Sequence, residues 1–584
     1  MANQLNENYL PGAVIVVVRD GEIYFSKGYG FADVENRIPV DPATTLFRPG
    51  SVSKLFLWTA VMQLVEQGKL DLNEDVNTYL DFTIPATYPE PITLRHLMTH
   101  TPGFEDRGDG LFKLTAEEVA PLGVYLKESM PARVFPPGVN GAYSNYGSAL
   151  AGYIVERVSG MSFNEYVEQN IFAPLGMVRA TFRQPLPAAL APAMAGGYNF
   201  VDGEFVRGDF EYVVPYPVGS ISATGDEMAK FMIAHLQEGR YGDARILQQE
   251  TAQQMHAQLF THDPRLTGMA HGFFENEANG QRVLNHGGDT LLFHSGLYLL
   301  PESNTGLFIS TNGVNGSLTV KAVWKGFIDR YYPAGDPPVL SPSADFSERA
   351  ALYAGQYYPA RSSFTTFEKM MRAMTPLIVQ VAENNEVVVN QMGQILRFVE
   401  VEPGLLVNIT EPDDRLVLKE VDGQVMLYPA TPFSFIKVDL AGAFELHMLI
   451  YILGALLFLS AMAGWMIGLF SRAKPRTRLV NIARAAAALF GLGFLALLIV
   501  FAGQFMNILP AYGVPALFFG IDSGFQQVIA FLPLLLALLA LGMLVFSVLL
   551  WLRRAPGRLF YSLLALFALA IVWSMAYWKL LILG

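Results

Sequence analysis

Four apolar runs close the chain, at about 446–470, 482–505, 528–552 and 559–581. Each exceeds the ~20 residues that a helix needs to cross a bilayer. A segment in lipid must satisfy its own backbone, so these runs are read as an all-α transmembrane bundle. Buried helices of a soluble core are the alternative, and four in succession argue against it. Arg472, Lys474, Arg476 and Arg478 follow the first run, with Arg484 just inside the second, and Arg553, Arg554 and Arg558 follow the third. The loop between the second and third runs has no Lys or Arg and contains Asp522. The excess of Lys and Arg in cytoplasmic loops then places both basic loops inside and everything before Phe444 outside, along with Gly584. No secretory signal precedes Leu10, so this topology leads us to expect that an export leader is missing from the chain.

The tail also explains the composition. Hydrophobic residues make up 52% and charged residues 16% of the 584, too apolar for an evenly soluble protein. The part up to Phe444 holds 31 Lys/Arg against 50 Asp/Glu, a net charge of −19, while the whole chain carries −12. So acidic a body argues against a nucleic-acid partner. With no cysteine there is no disulfide framework, thiol nucleophile or zinc thiolate site.

Within the body, the runs 13–18 and 22–26 flank Asp20-Gly21 and read as a hairpin. The turn Pro49-Gly50 then opens an apolar stretch with Leu55, Trp58, Met62 and Val65 on one side, closed by Gly68. Ser51 falls at the first turn of this helix, and Lys54, three residues on, shares its face. A serine hydroxyl is a poor nucleophile until a base takes its proton. A lysine whose pKa is lowered by burial can do so, and the free N–H groups of a helix start favour developing negative charge. Ser-x-x-Lys alone is common and does not by itself mark an active site.

Two further motifs follow. Tyr143-Ser144-Asn145 sits in a loop before the helical run 149–158, and an extended backbone points Tyr143 and Asn145 the same way. His286-Gly287-Gly288-Asp289 precedes two strand-like runs, 294–300 and 306–311. Its glycine pair lets a ligand approach the backbone closely, and His286 offers a positive or proton-donating group there. His96 and His100 stand four apart in the segment 92–103. That spacing suits a metal, but no acidic third ligand follows, so packing and hydrogen bonding are the reading. Thr224 or Asp226 is placed to cap the helix 226–235. Short strand-like runs separated by turns from 377 to 438 describe a small antiparallel β domain over about 345–440, with no catalytic constellation in it.

The three motifs in this order resemble the serine β-lactamase and penicillin-binding-protein superfamily, in particular its class C branch of β-lactamases, D,D-peptidases, D-aminopeptidases and family VIII esterases. The likeness covers about residues 10–335, with 94–103 and 219–222 as supporting phrases. It implies an α/β fold, an antiparallel sheet packed by helices, over 1–340, followed by the β domain at 345–440 and the transmembrane domain at 444–584. It implies acyl transfer through Ser51, with Lys54 as base, Tyr143 as proton shuttle and Asn145 orienting the substrate or Lys54. The Ser51 N–H and the Asp289 N–H would form the oxyanion hole beside His286, Gly287 and Gly288. No cofactor or metal is implied, and the partners are a small-molecule or peptide acyl substrate and a lipid bilayer. The sequence leaves the oligomeric state open. Class C β-lactamases carry Lys-Thr-Gly where this chain has His286-Gly287-Gly288, which points away from lactam hydrolysis and toward the branch's peptidases, with esterase second. A transmembrane tail resembles membrane-bound D-peptidases that mature peptide prodrugs, although those usually carry three spans. A β-lactam-binding sensor that acylates and barely turns over is the reading from another class.

Overall fold

Asp20 and Gly21, both at positive φ, make the tight turn that their residue types favour. They join β1 (Gly12–Arg19) to β2 (Glu22–Asp33), which runs on through Gly28 and Gly30 where the sequence suggests a loop. The computed structural model describes all residues except 109, 337, 468–476 and 582–584. In it, β3 (Ile38–Pro39), β4 (Phe274–Ala278), β5 (Gln281–Asp289), β6 (His294–Leu300) and β7 (Thr305–Thr311) complete a seven-stranded sheet of order β4-β5-β6-β7-β1-β2-β3. Its neighbours are antiparallel throughout, and Ala13 on β1 pairs with Thr311 on β7.

Helices cover both faces of this sheet, so β1 is buried on both sides. Alternate residues face opposite ways. A Cβ built on Gly225, the first residue of a helix capped by the Thr224 side chain, would meet Val14 and Val16. On the other face Ile15, Leu307 and Ile309 pack with Val320 and Trp324.

The nucleophile helix α1 (Ser53–Glu66) lies in the helical part beside α2 (Leu94–Met98) and α3 (Asn145–Ser159). The apolar run reads as a largely buried helix, and every residue from Ser53 to Leu64 is buried. A helix covered all round gains burial at each position and has no need of a polar stripe.

The β domain is a closed eight-stranded barrel: β8 (Gly355–Pro359), β9 (Leu377–Val381), β10 (Val387–Gln391), β11 (Gln394–Glu402), β12 (Leu405–Asn408), β13 (Arg415–Val421), β14 (Gln424–Pro429) and β15 (Phe435–Lys437). Tyr357, Phe398, Leu406 and Leu418 fill it. β8 has no counterpart in the sequence reading. It is five residues long, between a glycine and a proline, and it completes the closure, with Ala360 N–H donating to Ser434 O at 2.8 Å.

The chain divides into two compact units. The first comprises residues 1–361, 377–436 and 508–514 and holds the sheet and the barrel. The second comprises 362–376, 437–507 and 515–584. Among the described residues it contains four helices of mean hydropathy 2.1 to 2.9, Phe444–Ile467, Arg478–Met506, Ser523–Leu552 and Arg558–Tyr577, each long and apolar enough to cross a membrane. Phe458, Phe494, Leu536 and Ile571 are in its core. Arg472, Lys474 and Arg476 of the first basic loop, and Gly584, lie outside the described residues.

Candidate active site

Pro49-Gly50 turns the chain into a short 3-10 turn, Gly50–Val52, that leads into α1. Ser51 stands in that turn and is half-buried. Ser53 Oγ closes the turn by donating to Gly50 O at 2.6 Å and receives Ile221 N–H at 3.2 Å. Before it, Arg48 is fully buried against Phe210 (4.3 Å) and Glu211 (3.4 Å). Glu211 accepts from Thr290 Oγ1 at 2.6 Å and Leu291 N–H at 2.7 Å, which fastens the entry of the turn to the residues after β5.

Lys54 is completely buried, and its Nζ has three oxygen neighbours: Asn145 Oδ1 at 2.9 Å, Val218 O at 2.9 Å and Ser51 Oγ at 3.1 Å. Burial lowers its pKa well below the ordinary lysine value, and the Arg361 charge adds to this, against a smaller opposing effect of Asp106. The geometry fits a neutral amine. Such an amine has two N–H groups and one lone pair. The amide and carbonyl oxygens can only accept, so they take both hydrogens. The lone pair is left for the one neighbour that can donate, the Ser51 hydroxyl.

Asn145 is the first residue of α3, capped by Ser144, whose Oγ receives Gly147 N–H at 2.9 Å. Tyr143 is held by His100, whose carbonyl accepts Ala142 N–H at 2.9 Å and whose Nδ1 accepts Ser144 N–H at 3.2 Å. His100 thus grips the backbone on both sides of Tyr143, with the rings 4.2 Å apart. His96 accepts Thr93 N–H at the start of α2. Both histidines commit Nδ1 to backbone amides, in line with the packing role. Tyr143 also meets Phe274, His286 and Phe433 rings at 6.1–6.2 Å. Its hydroxyl faces Ser51 without a well-aligned hydrogen bond. Burial raises its pKa, so the phenol keeps its proton at neutral pH.

β5 brings the third motif. A Cβ on Gly288 would stand 1.9 Å from Pro49 O and 2.8 Å from Ser51 N, and one on Gly50 would stand 2.6 Å from Asp289 N. The strand and the nucleophile turn therefore touch backbone to backbone, with the Ser51 and Asp289 amide nitrogens on either side of the contact. Two backbone amides this close to the nucleophile are candidates for an oxyanion hole. Asp289 itself is exposed, with Oδ1 2.6 Å from His294 Nδ1. Of the two roles open to His286, positive charge and proton donation, its surroundings disfavour the charge. It is buried, stacked on Phe274 at 4.6 Å, and desolvation pushes its pKa down to about 3. Its Nδ1–H donates to Gly287 O at 2.5 Å, which leaves Nε2 as an unpartnered acceptor.

Two contributors come from the barrel, where the sequence reading places none. Phe433 bridges to Ala142 and stacks on Tyr143. Arg361, two residues beyond β8, holds its guanidinium carbon 4.8 Å from the Tyr143 ring centre and donates from Nε to Asp106 Oδ2 at 2.8 Å. No local motif marks either; the only sequence signal is a cation just after an aromatic strand. Among the described residues no group of three or more His, Asp or Glu could hold a metal.

The family model described as Beta-lactamase matches residues 1–325. The penicillin-binding protein PbpX of Bacillus subtilis is 33% identical over 198 residues, 32% of this chain and 47% of that protein. Protein flp of Staphylococcus aureus is 25% identical over 319 residues, 53% of this chain and 61% of its own length. The matches thus span about half the length of these relatives. Among solved structures, the octameric penicillin-binding protein homologue from Pyrococcus abyssi superposes with a TM-score of 0.50 at 21% identity, over 75% of this chain and 98% of its own. The crystal structure of SurE gives 0.53 at 20% identity, over 75% and 97%.

Proposed function

The chain belongs to the beta-lactamase family, and from the site it carries we propose a membrane-anchored serine hydrolase that cleaves peptides containing D-amino acids or N-acyl groups. The observation that carries this reading is the neutral-amine environment of Lys54, with its lone pair toward Ser51. Lys54 accepts the Ser51 proton as Oγ bonds to the substrate carbonyl carbon. The Ser51 and Asp289 N–H groups receive the oxyanion, and one such donor is typically worth about 10²–10³ in rate. The carbon–nitrogen bond then breaks, and the proton passes through Tyr143 to the departing nitrogen. Water, deprotonated by the same base, releases the acid and restores Ser51.

Tyr143 favours a peptide over an ester. An amine leaves only once protonated, and a phenol that stays neutral in the pocket can deliver that proton. Ester hydrolysis is second. Lactam hydrolysis is third, since His286 is neutral where the lactamases of this branch carry a lysine. The helices hold the enzyme in the membrane with the body extracytoplasmic.

The test is labelling of intact cells with a membrane-impermeant fluorophosphonate, then peptide mapping and turnover on N-acyl-D-peptides, p-nitrophenyl esters and nitrocefin. We expect Ser51 to be labelled, Ser51→Ala to be blank and peptides to turn over many times per enzyme. Labelling of another serine sinks the mechanism, labelling only in broken cells sinks the topology, and a stable stoichiometric adduct with no turnover favours the sensor.

A further inference from the structure

The four apolar helices enclose a cavity at one end of their unit. There the first helix finishes, the second begins at Arg478, and the third turns into the fourth through Arg553 to Gly557. The cavity measures about 1090 Å³, room enough for a ligand, since such sites run to ~300–1,000 Å³. Arg478, Arg484, Arg553 and Arg554 line it, and among the described residues no carboxylate does. The side-chain carboxylates of the tail, Glu445 and Asp522, stand at the opposite ends of the first and third helices. Four like charges on one cavity repel, and a bound anion offsets that repulsion. Two further features favour an anion. The fourth helix follows Gly557 without a side-chain cap, so the N–H groups of its first turn are open at the positive end of its dipole. Tyr561, one turn on, also lines the cavity. It is 4% exposed, yet its hydroxyl has no hydrogen-bond partner among the described residues. Buried hydroxyls are ordinarily paired, and an anionic oxygen in the cavity would accept from this one.

We propose that this cavity binds the headgroup of an anionic phospholipid, with the phosphate among the arginines and Tyr561. The proposal rests on the reading of the four helices as membrane-spanning and is independent of the chemistry at Ser51. The rim identifies a lipid as the source of the phosphate. Leu549 and Phe560 line the cavity and are exposed, and Leu552 and Leu559 beside them are exposed as well. In a spanning bundle these side chains meet acyl chains, for which a soluble phosphate has no use. The basic loops place this end at the cytoplasmic leaflet. Arginines that only set topology need to lie near the headgroups and no more. Here they share an enclosed site with an unpaired hydroxyl and an open helix start, which is how a basic pocket between helices holds one headgroup.

The test uses the full chain in micelles containing phosphatidylcholine. The mole fraction of phosphatidylglycerol is raised, and bound lipid is counted by native mass spectrometry. We expect a single phosphatidylglycerol per chain, held roughly tenfold more tightly than phosphatidylcholine. Arg478→Gln and Arg553→Gln should each weaken retention about fivefold, the effect of one basic residue on an anionic lipid. Tyr561→Phe keeps the ring and should weaken it roughly tenfold, the effect of a lost hydrogen bond to a charged group. Arg558→Gln removes the same charge outside the cavity, where Arg558 stacks on Trp551 at 4.6 Å, and should leave retention within about twofold. Melting temperatures without phosphatidylglycerol show which variants fold. Should an arginine variant inside the cavity fail to fold, Tyr561→Phe against Arg558→Gln still decides. Equal losses inside and outside the cavity mean attraction to a charged surface and overturn the site, as does equal retention of the two lipids. Displacement of the lipid by millimolar inorganic phosphate makes this a soluble-phosphate site and overturns the lipid assignment. Release of the chain from membranes by alkaline carbonate overturns the membrane-spanning reading itself, whatever the binding results.

Discussion

Lys54 is usable as a base because its surroundings disfavour its charge. Desolvation is the main cause, Arg361 adds to it, and Asp106 opposes it. The acylation rate must therefore fall as pH drops through the Lys54 pKa, because protonation occupies the lone pair that faces Ser51. This acid limb lies below the ordinary lysine range. Its response to neighbours has a sign. Replacing Arg361 by Gln removes a positive charge, lets Lys54 protonate more easily and moves the limb to higher pH. Replacing Asp106 by Asn removes a negative charge and moves it to lower pH. The measurement is kcat/KM against pH for a neutral p-nitrophenyl ester, so that substrate charge does not enter. Limbs that stay put in both variants would take the base role away from Lys54. The same logic separates Lys54 from Tyr143, whose pKa is shifted upward and which serves as donor.

At the scale of elements, the site depends on how closely β5 and the nucleophile turn approach. The two glycines of β5 contribute differently. A Cβ on Gly288 would overlap Pro49 O, a backbone atom that cannot rotate away, while one on Gly287 has only Ser295 O at 4.0 Å near it. Gly288→Ala should push the turn off the strand, lower Ser51 labelling by about 10²-fold as an oxyanion donor is lost, and destabilise by about 1–3 kcal/mol from overpacking. Gly287→Ala should melt within about 2 °C of wild type, the range expected of a change that strains nothing. Equal effects from the two would remove the close approach from the account. The sequence reads the Gly-Gly pair as room for a ligand against the backbone, and it does not say that the backbone of Pro49 fills that room at Gly288. Ser51, Lys54, Tyr143 and Asn145 were readable, since short spacings on helix starts fix which groups share a face. Arg361 and Phe433 were not. They act through tertiary closure of a barrel, and β8, the strand that carries the chain to Arg361, starts on a glycine, ends on a proline and lacks the alternation that marks a strand. Nor does the sequence choose between charge and proton donation at His286, for a related reason: a residue type gives a reference pKa, and only packing says that the ring is dry.

At the scale of the molecule, the two units exchange segments, so the tail is more than an addition after residue 440. Residues 508–514, from the stretch between the second and third apolar helices, fold with the first unit. Tyr512 is buried there, 4% exposed, and its hydroxyl accepts Asp209 N–H at 3.0 Å. Pro510 O accepts from Asn199 Nδ2 at 2.7 Å, and the Tyr512 ring packs where Gly208 has no side chain. The connection reaches the catalytic turn. Asp209 precedes Phe210 and Glu211, which hold Arg48, and Arg48 lies three residues before Ser51. A chain cut after Leu440 loses Tyr512 and Pro510 and leaves Asp209 N–H and a side-chain amide without partners. Each such bond is worth about 1 kcal/mol, and loss of the buried ring adds a cavity cost of about 3–5 kcal/mol for a fully buried aromatic. The first unit should therefore melt several degrees lower in the truncated chain than in the full one, and fluorophosphonate should label Ser51 more slowly. Tyr512→Phe in the full chain isolates the hydroxyl: it keeps the ring, so it should cost only the hydrogen bond and leave most of the labelling rate. If truncation changes neither melting nor labelling, the segment is dispensable, and the four helices act as an anchor alone.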